Sequence, residues 1–287
     1  MSVDLTVSII NNNNKDLILE CIGSVYRAGE GIALEVVVVD NLSGDGSAEE
    51  IQARYPSVML IRNVSKEGFS SNHNKAVRAS NGEFVLILND DTLVHKDALV
   101  RMLNFMRGNQ SAGAVGGLLV NPDGSPQHTG RSAPTLLAAI MISLGLHRLF
   151  PNNPVTAGYF RKDVSRTGPE EVESVNGSAM MLRRSALDKV GLLDEGFFLF
   201  CEDVDLSIRL REAGYGLYLL PDALVTHYRG KSTGGRRIVW IYHRSLMRFY
   251  RKHYAGRSNF LVNGLLYAGI MARFMVYWVY GNVRKRG

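Results

Sequence analysis

The sequence predicts an α/β fold, a mixed and mostly parallel sheet flanked by helices, followed by a C-terminal amphipathic helical extension. Three observations carry this. Through the first third of the 287 residues, short apolar runs alternate with amphipathic stretches, the β-α-β-α order of a sheet covered on both faces. Two of the runs end in polar clusters, Asp40-Asn41-Leu42-Ser43 and Asn89-Asp90-Asp91-Thr92, at the carboxyl ends where such sheets bind ligands. The charge is also split: residues 1–222 hold 20 Lys+Arg against all 27 acids, a net of −7, whereas residues 223–287 hold 13 Lys+Arg and no acid.

The elements follow in order. Residues 5–10, 35–40, 58–62 and 83–89 are continuous apolar runs of strand length and predict strands buried on both faces. Residues 16–28, 47–54 and 69–80 predict helices, the first with Leu17, Cys21 and Val25 at i, i+4 and i+8. Residues 121–134 and 151–174, rich in Pro, Gly, Asn and charge, predict loops around the apolar run 135–146. That run is too short to span a bilayer and suits a core or interfacial helix. A strand over 176–184, a helix over 203–213 stopped by Gly214, and a last strand over 215–220 before Pro221 complete the body. The organisation expected is a body, 1–230, and a tail, 231–287.

Composition excludes a disordered, collagen-like or disulfide-stapled chain. Cys21 and Cys201 lie far apart with no C-x-x-C spacing, which argues against a zinc ribbon and for a reducing compartment. The start, MSVDLTVSII, lacks the features of a secretory signal, so the body is expected to face the cytoplasm.

Two acidic clusters could carry chemistry. In Asn89-Asp90-Asp91, adjacent carboxylates repel unless a cation or donors compensate them, and a divalent ion with phosphate oxygens does so. Equally, Asp91 or Thr92 could cap a helix over 97–107. Glu202-Asp203-Val204-Asp205 follows the aromatic run Phe197-Phe198-Leu199-Phe200. An apolar wall raises a carboxylate's pKa and suits a general base, while helix capping is the plainer reading. His227 follows the last strand and is either structural or a metal ligand. His73, His95, His128, His147, His243 and His253 show no metal-ligand spacing. Cys201, beside an acid, reads as packing.

The tail holds 12 of the 25 aromatics and both tryptophans. Nucleic acid or an anionic membrane surface fits that composition, and the apolar stretch 260–280 favours lipid. It is long enough to span, but Arg273 near its middle would be costly there. On a helix, Asn259, Asn263, Arg273, Tyr277 and Arg284 share an arc that Leu266 and Ile270 interrupt. This predicts a helix lying in the interface, polar side to water, with Arg251-Lys252 and Arg284-Lys285-Arg286 at anionic headgroups. A buried C-terminal helix packed on the body is the other reading.

The segments VSII-N-N-N-N, VVVVDNLSGDGS, KEGFSSNHNKAVRASNGEFVLILNDDT and NGSAMMLRRSALDKVGLLDEGFFLFCEDVDLSIRLREAGYGLYLLPDALVTH together resemble the family 2 glycosyltransferases of the GT-A fold, over most of residues 4–230. The last is the most specific, with its ED-x-D-L-x-x-R core, preceding aromatics and later His. Within the family the chain looks most like bacterial rhamnosyltransferase-type enzymes. The resemblance implies a nucleotide-sugar-binding half, 1–120, and an acceptor-binding half, 121–230. It implies that Asp40 meets the nucleotide base beside Asn11, Asn12 and Asn13, that Gly68 and Asn72 belong to the same donor site, that Asn89-Asp90-Asp91 is the D-x-D motif with Asp90 near the ribose, and that Gly177 flanks the donor on the acceptor side. Asp91 and His227 would hold Mg²⁺ or Mn²⁺, and Asp203, with Glu202 its neighbour, would be the general base. Asn89 stands where the motif has Asp, and the first strand ends in four asparagines where the family often has an aromatic before Asn.

The implied reaction is inverting transfer of a sugar from a nucleotide donor to a glycan or lipid-linked acceptor in cell-surface polysaccharide synthesis. dTDP-rhamnose is the leading donor, and UDP-linked galactofuranose, galactose or N-acetylglucosamine are alternatives. The implied location is peripheral, at the inner face of the cytoplasmic membrane. Two rivals differ in class: a non-catalytic nucleotide-sugar or nucleic-acid binding module, and a sugar nucleotidyltransferase, whose Gly-rich phosphate loop residues 8–16 lack.

Overall fold

The computed structural model describes residues 2–127, 130–131, 137–138, 141, 146–150, 153–155, 168–228 and 236–283. The Val- and Ile-rich runs form strands because β-branched side chains suit a pleat covered on both faces. β1 (Leu5–Asn11), β2 (Leu34–Asp40), β3 (Met59–Arg62) and β4 (Phe84–Asn89) are joined by α1 (Lys15–Ala28), α2 (Ser47–Arg54) and α3 (Phe69–Arg78). All four strands are parallel, with β1 between β2 and β4. The chain winds outward from β1 to β3 and then returns to place β4 on the other side. The carboxyl ends of β1 and β4 therefore flank a topological switch point, where a crevice opens.

The second half completes the sheet with β5 (Thr92–Val94), α4 (Ala98–Gly108), β6 (Ala112–Val120), β7 (Gly130–Arg131), β8 (Glu170–Glu171), β9 (Ser174–Val175), β10 (Ala179–Arg183), α5 (Arg184–Val190), α6 (Glu202–Glu212) and β11 (Gly216–His227). Among the described residues the main sheet has nine strands, in the order β3-β2-β1-β4-β10-β6-β11-β5 with β8 on β11; β7 and β9 pair separately. β10 runs antiparallel to both β4 and β6, so the sheet is mixed. One core layer packs α1 and α4 on the sheet, and the other packs α3, α5 and α6 on the opposite face.

Several expectations change. β3 is the edge strand, with Met59 exposed, rather than buried on both faces. β6 was not predicted, because AGAVGGLLV is poor in β-branched residues. Its glycines are there for close approach: a Cβ on Gly117 would stand 2.5 Å from the Ala223 carbonyl oxygen, and one on Gly116 2.7 Å from Val175. The last strand does not stop at Pro221. β11 continues to His227 through a register shift between Leu220 and Leu224, and an irregularity of that kind is where a strand tolerates proline. The run 135–146 and the loops 121–134 and 151–174 lie partly or largely outside the described residues.

Among the described residues the tail forms two α-helices, α7 (Arg236–His253) and α8 (Phe260–Val283), packed on each other through Tyr250, Leu266 and Ile270. The middle of the arc expected to face water, Asn263, Arg273 and Tyr277, is turned inward instead, while Asn259 at its start is exposed. Asn263 accepts a hydrogen bond from the Tyr250 hydroxyl (2.6 Å) and donates to the Ala255 carbonyl (3.1 Å). The Arg273 guanidinium lies over the rings of Tyr242 and Tyr277. Leu261, Leu265, Met271, Met275 and Val276 are exposed on the other side. The reason is that α7 offers hydrogen-bonding and aromatic partners to the polar arc, while Leu266 and Ile270, which interrupt that arc, supply its apolar contact. Lys252, expected at headgroups, is instead 2.8 Å from Asp194 and 2.6 Å from Asp205. Arg284-Lys285-Arg286 lies outside the described residues.

Candidate active site

Asparagines end β1 at the switch point. Asn11 and Asp40 are register partners on adjacent parallel strands, and the fully buried Asn11 amide donates to Asp40 Oδ1 (2.7 Å) and Ser47 Oγ (2.6 Å). Asp40 Oδ2 accepts the Ser43 N–H (3.3 Å). Asn11 thus aims Asp40 rather than pointing outward itself. Asn12 receives the Lys66 ammonium on its side-chain oxygen (2.6 Å). Asn13 adopts φ 58° and staples the loop after β2, accepting the Gly44 N–H (2.8 Å) and donating its own N–H to Ser43 Oγ (3.1 Å). Asn14 reaches across the crevice to Asp90 Oδ2 (3.1 Å), which ties the ends of β1 and β4 together.

Asn72 is fully buried. Its oxygen accepts from Asn63 (2.6 Å) and its amide donates to the Glu67 carbonyl (3.3 Å), so it braces the Asn63–Glu67 loop. Gly68 sits where that loop meets the aromatic run before α6: a Cβ there would lie 2.6 Å from the Phe198 carbonyl oxygen.

At the end of β4, burial, and then the neighbouring Asp91 charge, raise the Asp90 carboxyl to about 6 against hydrogen bonds from Asn14 and the Asn12 backbone. Asp91 is buried and stands 3.2 Å from His227 Nε2. The helix-cap alternative fails here. Thr92 opens a strand, and α4 starts at Ala98 after an Asp97 that makes no side-chain cap. His227 ends β11 opposite Thr92 of β5, so the sheet register brings it to Asp91 from far along the chain.

Gln127, which nothing in the sequence singled out, orients this histidine. Its amide nitrogen donates to the His227 carbonyl (2.7 Å) and to Asn121 Oδ1 (2.8 Å), which leaves its oxygen as acceptor for His227 Nδ1 (3.1 Å). Nδ1 therefore carries the proton. Nε2 is then a bare lone pair or the proton of an imidazolium, directed at a carboxylate and also within 3.4 Å of Asn89 Nδ2. A lone pair facing Asp91 calls for a cation between them. Asp91 and His227, 3.2 Å apart, would hold such an ion as two neighbouring ligands. Among the described residues no group of three or more His, Cys, Asp or Glu converges to hold a metal. The donor set fits a hard ion that takes its remaining ligands from phosphate and water, not a closed protein cage.

The second acidic cluster begins α6. Phe200 and Cys201 precede it with φ of 73° and 71°, two successive non-glycine residues in the left-handed region. Asp203 is not a conventional cap: its Oδ1 accepts the Val204 N–H (2.8 Å) and its Oδ2 the Gly177 N–H (3.1 Å). The rise expected from the aromatic wall falls on Glu202, which is buried with Oε2 unpartnered. Burial, and then the Asp203 charge, push its carboxyl well above the usual range. Burial thus disfavours a second charge beside Asp203. Asp205 is no cap either. It is fully buried, holding Arg209 (2.9 Å) and His253 (2.8 Å).

Gly177-Ser178 joins the two clusters. Gly177 donates to Asp203, while Ser178 accepts from the Asn89 backbone (3.1 Å) and side chain (3.2 Å) on its two oxygens. The switch point thus brings together the Asp40 carboxylate aimed by Asn11, the Asp91–His227 pair and a carboxylate held by backbone N–H groups. That equipment suits transfer of a group from a nucleoside diphosphate to a nucleophile.

Comparison with known proteins agrees. The family model described as Glycosyl transferase family 2 matches residues 6–191. An N-acetylglucosaminyl-diphospho-decaprenol L-rhamnosyltransferase of Mycobacterium tuberculosis is 32% identical over 213 residues, which is 70% of this chain and 68% of that protein. The rhamnosyltransferase WbbL of Escherichia coli is 25% identical over 206 residues, 67% of this chain and 74% of that one. Among solved structures, a Pyrobaculum calidifontis mannosyltransferase in complex with GDP-Man and Mn²⁺ superposes with a TM-score of 0.60 at 16% identity, covering 100% of this chain and 81% of that one. Residues 1–349 of S. aureus TarS in complex with UDP superpose with a TM-score of 0.56 at 16% identity, covering 94% and 71%. The mixed sheet is that of the GT-A glycosyltransferases, and the chain belongs to glycosyl transferase family 2.

Proposed function

We propose that the chain is an inverting glycosyltransferase that moves L-rhamnose from dTDP-rhamnose to a hydroxyl of a lipid-linked glycan in cell-surface polysaccharide synthesis. The observation that carries the reading is the Gly177-Ser178 bridge, which holds Asp203 across from the Asn89-Asp90-Asp91 strand end. Asp203 takes the proton of the acceptor hydroxyl as that oxygen attacks the anomeric carbon, and the nucleoside diphosphate departs with the bonding pair. A single displacement inverts the configuration. Asp40, aimed by Asn11, reads the base, with Lys66 and Asn12 on the same edge. A divalent ion, Mg²⁺ or Mn²⁺, held by Asp91 and His227, would supply Lewis-acid stabilisation to the leaving diphosphate. The similarity to the mycobacterial and E. coli rhamnosyltransferases supports rhamnose, the mycobacterial one also supports a diphospho-polyprenol acceptor, and the Mn²⁺ complex of the Pyrobaculum neighbour supports the metal. UDP-linked galactofuranose, galactose or N-acetylglucosamine are the second reading, favoured by the UDP complex of TarS.

The proposal places the protein at the inner face of the cytoplasmic membrane. An exposed apolar stripe on α8 and 13 cations without an acid after residue 222 suit an anionic lipid surface.

The test is turnover of a panel of nucleotide sugars with Mn²⁺ and N-acetylglucosamine linked to a short prenyl diphosphate, for the wild type and for Asp203→Asn. The expected result is transfer from dTDP-rhamnose, lowered ~10³-fold by Asp203→Asn with dTDP binding within about twofold. Transfer from UDP-sugars alone would move the donor to the second reading. Nucleotide binding without turnover of any donor would favour a binding module.

A further inference from the structure

We propose that α7 is a positioning element for Asp203, clamping the strained turn Phe200-Cys201 so that the first turn of α6 points this carboxylate into the crevice. The inference rests on the proposed role of Asp203 and goes beyond it by giving the tail a part in the transfer step.

Two successive left-handed residues, neither of them glycine, persist only where their surroundings over-determine them. The Cys201 side chain does not cap α6. The Phe69 N–H holds the Phe198 carbonyl (2.7 Å) on one side of the turn, and α7 supplies the contacts that follow. The buried Ser245 hydroxyl donates to the Leu199 carbonyl (2.7 Å). The Tyr242 ring meets Phe200 edge-on with centroids 5.5 Å apart. Phe249 packs with Phe197 and Val204 in a small core of its own. Arg248 and Lys252 hold Asp194, each at 2.8 Å, and Lys252 and His253 hold Asp205 at 2.6 and 2.8 Å.

These contacts fall at residues 194, 197, 199, 200, 204 and 205, on both sides of Asp203. Asp203 itself depends on two backbone N–H groups, one in its own helix and one on Gly177. A small rotation of the first turn of α6 would carry Oδ2 off Gly177 while leaving the donor edge on β1, β2 and β4 in place. Loss of the clamp should therefore lower kcat without raising the donor KM, a split that general destabilisation does not produce.

The experiment compares the full-length wild type with Ser245→Ala, Cys201→Asn and the double variant, by hydrogen exchange of the 199–205 amides and by turnover of dTDP-rhamnose with the prenyl-linked acceptor. Asparagine tolerates the left-handed region and so relieves the strain that the clamp holds. Ser245→Ala should speed exchange at 199–205 and lower kcat roughly fivefold, the equivalent of one lost hydrogen bond, with donor KM and dTDP affinity within twofold. In the Cys201→Asn background the same substitution should cost at most about twofold. The proposal is overturned if exchange and kcat are unchanged, if the two losses simply multiply, or if kcat, KM and thermal stability change together. Should Ser245→Ala not fold, Lys252→Met cuts the ties to Asp194 and Asp205 and is read in the same way. If the wild type turns over no sugar, the role given to Asp203 falls, whereas the exchange data still decide whether α7 orders the turn.

Discussion

The donor edge and the C-terminal hairpin use polar side chains in opposite ways. Around β1 and β4, apolar residues fill the layers beneath the sheet while asparagines and aspartates gather at the strand ends, facing the crevice. In the hairpin, Asn263, Arg273 and Tyr277 turn toward α7, and Leu261, Leu265, Met271, Met275 and Val276 lie 42–74% exposed. An amphipathic pattern states that a helix has two faces, and the surface it docks on decides which is hidden. A helix that hides its polar side and shows an apolar one is suited to a lipid neighbour.

Of the two regions, the larger effect should come from breaking the donor side. Asp91→Ala should weaken Mn²⁺-dependent dTDP binding ~100-fold, and Gln127→Ala, which frees the His227 ring, ~10-fold, both read by titration calorimetry with and without Mn²⁺. Equal binding by the Gln127 variant would mean that the histidine needs no orienting partner.

The hairpin comparison is sharpened by charging its outer face. Leu265→Glu with Met275→Glu should cut co-sedimentation with anionic vesicles at least ~10-fold, with dTDP binding intact. Ile270→Ala, on the hidden face, should instead cost ~2–4 kcal/mol of hairpin stability. Self-association that the double glutamate variant abolishes, without any vesicle binding by the wild type, would turn the stripe into a subunit contact.

The smallest effect tests the link between the two regions. Burial raises the Asp194 carboxyl, but hydrogen bonds from Lys252, the Gly196 N–H and Arg248 outweigh it and hold it at about 2, below the ordinary 3.8. A depressed carboxylate stabilises the fold in full above its unfolded pKa and loses that contribution as pH falls from about 4 to about 2. Asp194→Asn should therefore cost ~1–2 kcal/mol at neutral pH and nothing near pH 2, as read by tryptophan fluorescence during denaturant unfolding.

The two acidic clusters and the alternation of β1 to β4 were legible because each rests on neighbours in the chain: apolar runs of strand length, carboxylates side by side, an aromatic run before an acid. What was not legible depends on distant partners. β6 hides its strand character behind glycines needed by Ala223 and Val175, and β11 passes a proline because its pairing shifts there. Gln127 acts on a histidine 100 residues away and Ser245 on a carbonyl 46 residues away, and neither carries a local signal.

By itself the sequence determined the parallel α/β order, the acids at the strand ends and the excess of cations and aromatics after residue 222. Periodicity, strand length and charge are properties of neighbouring residues. The tertiary structure alone decided that Asp91 faces His227, that Glu202 takes a burial penalty, and that α8 turns its apolar side outward. Each of these follows from which surfaces meet, and only packing across long chain separations determines that.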